Sequence, residues 1–86
     1  MSIRFRPSAG RHGISHERSA HVIEHCGLPF DDVAGEGVVL YLGDDWNQVA
    51  LEVGAVMDGE DVIVIHAMKL REKFRELYEE ATQWQR

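Results

Sequence analysis

The sequence predicts an α+β domain with elements in the order β-α-β-β-β-α. Three observations carry that prediction. Val49, Leu51, Val53 and Ala55 alternate with Ala50, Glu52 and Gly54, the period-two pattern of a half-buried strand. Asp58-Gly59 follows as a hairpin signal, because both central positions of a type I′ turn need positive φ. Leu70, Phe74, Leu77, Ala81 and Trp84 recur at i, i+4, i+7, i+11 and i+14, the stripe of an amphipathic helix. The chain has 86 residues, which fits a single domain over 1–86.

In chain order, Ile3-Arg4-Phe5-Arg6 alternates apolar and basic residues, as a short strand with Ile3 and Phe5 inward does. Pro7 ends regular pairing or opens the next segment. Ser15 is the expected N-cap of a helix running to about Cys26, with Ser19, Val22, Ile23 and Cys26 on one face. Arg18, His21 and His25 share a shoulder of that helix, and Gly27 with Pro29 stops it. Asp31 to Gly37 reads as an acidic loop and Val38 to Leu42 as a buried strand. Gly43 to Asn47 reads as a turn, and Val62 to Ala67 as the last strand. The last helix is expected from Leu70 to Trp84, with Arg71 and Tyr78 on one shoulder and an Arg75–Glu79 pair at i,i+4. The expected sheet is antiparallel, of about four strands, with the helices packed on it.

The formal net charge of −6 argues against a chain that clings to nucleic acid by bulk charge. Its distribution is uneven: residues 1–26 carry +2, residues 27–62 carry −9 with no Lys or Arg, and residues 63–86 carry +1. All five His lie in the two end segments. The lone Cys26 excludes a disulfide within the chain and a cysteine-based zinc centre. No apolar run approaches the length of a membrane span and no N-terminal signal pattern occurs, so the expected location is the cytoplasm, without membrane contact.

Several chemistries have no support. Gly35, Gly37 and Gly43 form neither a dinucleotide fingerprint nor a phosphate loop, and there is no nucleophile elbow. His21 and His25 stand at i,i+4, but HVIEH is not the zinc-protease pattern and no third ligand is evident, so neither metal nor cofactor is expected. What remains suits phosphodiester chemistry. Metal-free cleavage of RNA by its own 2′-hydroxyl needs a base, an acid, and cations on the phosphorane. Arg11-His12 at the helix entry, His66 at the strand end, Lys69, Arg71, Lys73 and Arg75 at the start of the last helix, and Tyr78 supply those groups. The plainer alternative for the Lys/Arg cluster is a solvated helix face interleaved with Glu.

The same two stretches carry a resemblance. RHGISHE (Arg11–Glu17) resembles the motif that opens the first long helix of BrnT-type toxins, and a related group of small domains of unknown function has a similar helix entry. HAMKLREKFRELYEEA (His66–Ala81) resembles the BrnT strand-to-helix junction, with Ala67 and Tyr78 eleven residues apart and Glu79 and Glu80 following. The chain departs from the family at Met68, where Arg is usual, and at Phe74, where Glu is usual. BrnT-type toxins belong to the RelE/ParE-like fold group. The resemblance implies an endoribonuclease toxin of a type II toxin–antitoxin module, acting on free or ribosome-bound RNA and neutralised by a small DNA-binding antitoxin. Carried over by position, it points to Arg11, His12, His66, Arg71 and Tyr78; catalytic roles are expected for His12, His66, Arg71 and Tyr78, and RNA contacts for Arg11 and, from the basic cluster, Lys69, Lys73 and Arg75. The competing expectation is a non-catalytic binding module that offers its sheet edge and acidic turns to a protein partner.

Overall fold

A computed structural model describes residues 2–83. Strand β1 (Ile3–Phe5) leads through a 3₁₀ turn (Pro7–Gly10) to helix α1 (His16–His25). Strands β2 (Phe30–Asp31), β3 (Val39–Asp44), β4 (Ala50–Asp58) and β5 (Asp61–Lys69) follow. A second 3₁₀ turn (Glu72–Phe74) runs into helix α2 (Arg75–Gln83). The α+β class and the order of the predicted elements hold, but the sheet differs from expectation. It has five strands in the order β1-β5-β4-β3-β2, and it is mixed because β1 runs parallel to β5. The extra strand is the Phe30–Asp31 pair at the start of the expected loop, which bonds across to Leu40 and Val39.

Ser15 caps α1 as predicted, its side-chain oxygen accepting from the backbone N–H of Arg18. Ser19, Val22 and Ile23 are buried, whereas Cys26 is half-buried at the C-cap. The Asp58-Gly59 signal marks the hairpin, one residue off the expected register. The connecting pair is Gly59-Glu60, and only Gly59 has positive φ (61°), which a type II′ turn requires and a type I′ turn does not permit. The last helix is shorter than its apolar stripe: the first turn is 3₁₀, and Trp84 lies outside the described residues.

The sheet carries a separate apolar cluster on each face. One face packs Leu51, Val53, Ala55, Val62, Val64 and Ala67 against Ile14, Val22 and Ile23. The other packs Leu40 and Leu42 against Phe74 and Ala81, with Leu70, Leu77 and Tyr78 at the margin. Of the predicted α2 stripe, Phe74 and Ala81 are buried and Leu70 and Leu77 partly buried. Among the described residues α2 packs chiefly on β3, and no helix is laid along the β4–β5–β1 part of that face.

Candidate active site

The site is built on the α2 face of β4 and β5. Strand alternation puts Glu52 and Gly54 on that face, opposite Leu51, Val53 and Ala55. Strict alternation along β5 would put His66 on the other face with Val62 and Val64. A β-bulge prevents that. Gly54 pairs with His66 and Ala55 with Val64, so Ile65 is an inserted residue and the phase of the strand reverses. The bulge is anchored from the side, because Ser8 donates its hydroxyl to the Ile65 carbonyl (2.5 Å) and Arg6 its backbone N–H to the Val64 carbonyl (2.9 Å). His66 is thereby turned toward the Glu52 side of the sheet, and Ala67 toward the α1 core.

Gly54 provides the space that the imidazole occupies. A Cβ at that position would stand 2.4 Å from His66 Cε1 and 2.6 Å from Nδ1, well inside contact distance. His66 Nε2 is buried without a hydrogen bond and lies 3.5 Å from Glu52 Oε2. Burial pushes the His66 pKa below the ordinary imidazole value; Glu52 opposes the shift, while Arg71 and His12 add to it. His66 is thus held toward the neutral form, and His12, in the turn before α1, is within electrostatic reach.

Glu52 is fully buried and is the hub of the cluster. It accepts three hydrogen bonds from Arg71: the backbone N–H and Nε on Oε1, both at 2.9 Å, and Nη2 on Oε2 at 2.8 Å. Burial alone would raise the Glu52 pKa, but the Arg71 hydrogen bonds and charge outweigh it and hold the carboxyl below its ordinary range. The same bonds raise the Arg71 pKa. Two-fifths of the Arg71 side chain remains exposed (42%), so its outer edge faces solvent while its inner edge is fixed.

The other predicted residues occupy different positions. Tyr78 shares the face but donates its hydroxyl to Asp44 (2.5 Å); burial, then that hydrogen bond, push its pKa up to about 12. Arg75 pairs with Glu72 at i,i+3 (3.2 Å) in place of the expected Glu79. Lys73 and Arg71 lie over the Phe74 ring, at 5.0 and 5.3 Å from its centroid. Lys69 is exposed at the end of β5, and Arg11 is exposed after the first 3₁₀ turn. His21 and His25 stack at 4.1 Å, and among the described residues no group of three or more His, Cys, Asp or Glu is placed to hold a metal.

Glu52, Gly54 and the bulge at Ile65 are the functional features that the sequence reading misses. Glu52 occupies a polar phase of an alternating strand, where solvent exposure is the default. Its available signal is the company it keeps, since Ala50 and Gly54 flank it on that face and leave room for neighbours. A second buried carboxylate, Asp45, accepts from Asn47 and Val49 N–H groups and from Arg18 Nε (2.7 Å), fixing the β3–β4 turn to α1. Against known proteins, no family model, curated protein or solved structure matches the chain. Among the described residues no helix is long and apolar enough to cross a membrane.

Proposed function

We propose that the chain is a metal-independent endoribonuclease, the toxin of a type II toxin–antitoxin pair with a RelE/ParE-like fold. The observation that supports this most is the pairing of His66 and Arg71, both in the stretch that resembles the BrnT strand-to-helix junction, with the buried Glu52 carboxylate. In this reading the neutral His66 accepts the proton of a ribose 2′-hydroxyl as its oxygen attacks the adjacent phosphorus. The bond from phosphorus to the 5′-oxygen breaks, and His12 protonates that leaving oxygen. The products carry a 2′,3′-cyclic phosphate and a 5′-hydroxyl.

The outer N–H groups of Arg71 and the exposed Arg11 stabilise the added charge on the phosphorane. Lys69, Lys73 and Arg75 extend the contact to flanking phosphates. Tyr78, protonated and bonded to Asp44, supports the face rather than the proton transfers. A small DNA-binding antitoxin, in this reading, covers the basic surface in the cytoplasm. Expression of the wild type arrests growth and shortens cellular RNA, and co-expression of the protein encoded next to it reverses both effects. A wild type expressed at high level with no effect on RNA contradicts the reading.

A second reading, a non-catalytic protein-binding module, draws on Trp46. That side chain is 54% exposed at the tip of the Asp45-anchored turn, edge-on to His21 at 5.6 Å. Exposed Trp residues are frequent anchors of protein interfaces.

A further inference from the structure

The Glu52–His66 face continues into an open depression of about 500 Å³ at the other end of β4, β5 and β1. Its floor is Ile63 and Val56, which pair directly across β5 and β4, and its rim carries Arg4, Arg6, Met57 and Asp58. Val56 lies two residues beyond Gly54 on the same face, a step of about 7 Å along the strand. The depression therefore lies on the same face of the sheet as the His66 imidazole, one same-face position along β4 from Gly54.

The lining combines two chemistries. Val56, half-buried, and Ile63, itself buried, form its apolar floor, whereas Met57 pairs with Val62 and by alternation turns its side chain toward the α1 side. Arg6 is exposed, with no ion pair or side-chain hydrogen bond among the described residues. Arg4 reaches Asp58 at 3.2 Å and Asp61 at 3.4 Å, in pairs open to solvent on both sides. Such exposed pairs hold their partners weakly, so an incoming phosphate can exchange for them. An apolar surface between guanidinium groups matches a nucleotide, which has a flat base and an anionic linkage.

Resting on the ribonuclease reading, we infer that this depression binds the nucleotide next to the scissile phosphate, with its base on the Val56–Ile63 floor and its phosphate on Arg6 and Arg4. Arg6 is exposed and Val56 is half-buried outside both core clusters, so substitutions there leave the core intact.

The test uses the full chain and a single-stranded RNA octamer carrying 2′-O-methyl groups throughout, which binds but cannot be cleaved. Affinity is measured by fluorescence anisotropy across a salt series. Each phosphate contact on a single strand contributes about 0.7 to the slope of log affinity against log salt. Arg6→Gln is expected to weaken binding and flatten that slope by about 0.7. Val56→Gln is expected to weaken binding with the slope unchanged. With cleavable RNA, both raise KM and leave kcat in place. Wild-type affinity and slope in both variants overturn the inference, as does absence of octamer binding by the wild type. Displacement of the octamer by an oligo-glutamate peptide at equal concentration also overturns it, marking the depression as a surface for an acidic protein. Octamer binding with the expected responses, but no cleavage of ordinary RNA, keeps this site and removes the ribonuclease reading. Cleavage by the wild type that both variants retain at unchanged KM removes only this site.

Discussion

Gly54→Ala isolates the placement of His66 from its chemistry. Gly54 does not have positive φ, so alanine meets no backbone strain there, and the conflict is with the imidazole alone. The new Cβ would stand 2.4 Å from Cε1, and carbon contacts settle at about 3.5 Å, so the ring must retreat by about 1 Å. Overpacking of this kind costs about 1–3 kcal/mol, offset by about 0.4–1 kcal/mol because alanine lowers the entropy of the unfolded chain. The expected net loss is about 1–2 kcal/mol, or roughly 5–15 °C in Tm for a domain of this size. Cleavage is expected to fall by about 100-fold, the usual cost of a reacting group displaced by 1 Å. A double-mutant cycle with His66→Ala, read by urea denaturation, gives the decisive number. Removing the ring removes the clash, so the coupling energy is expected at about 1–3 kcal/mol. Additivity within about 0.5 kcal/mol, or a Gly54→Ala protein that cleaves RNA like the wild type, refutes the placement of His66 over Gly54.

Arg71→Ala is expected to cost about 3–5 kcal/mol by urea denaturation, because it leaves the fully buried Glu52 carboxylate unpaired. Glu52→Gln is expected to cost less, because the guanidinium it abandons remains partly in water; the opposite ranking contradicts the role of Glu52 as the buried hub. Burial lowers the His66 pKa, so the unfolded chain takes up a proton first as pH falls, and stability is expected to decline from about pH 6.5 downward. The carboxyls of Glu52 and Asp45 are also held low, so their contribution is present above the ordinary carboxylate range and is lost as pH falls through it. His66→Gln is expected to abolish the decline that begins near 6.5 and retain the acidic one. Tyr78→Phe removes the hydrogen bond to Asp44, with an expected loss of about 1 kcal/mol in thermal or urea unfolding and no change in the pH profile of cleavage.

Elements whose residues obey a single period were legible in the sequence. The Ser15 cap, the α1 face, the alternation in β4 and the α2 stripe all follow from local spacing, and the described residues on those faces are buried or partly buried. Features that depend on partners distant in sequence were not. Phe30–Asp31 becomes a strand only because Leu40 and Val39 are there to pair with it. The parallel pairing of β1 with β5 joins residues almost sixty positions apart. The bulge is the instructive case for the site. Val62, Val64 and Ala67 share the α1 core, and that break in period-two spacing is its trace in the sequence. A continuous apolar run over Val62–Ile65 conceals which residue is inserted. His66 and Arg71 were legible as candidates by residue type, whereas the buried acid that joins them reads as an ordinary polar position on an alternating strand.

The central claim is that His66, held neutral above Gly54 and beside the Glu52–Arg71 pair, initiates cleavage of RNA through its own 2′-hydroxyl. The most direct measurement incubates the purified full chain with single-stranded RNA in the presence of a chelator and identifies the ends of the products. The account predicts cleavage with 2′,3′-cyclic phosphate and 5′-hydroxyl ends by the wild type, and its loss in a folded His66→Gln protein. Equal cleavage by the two proteins, or none by a folded wild type, contradicts it.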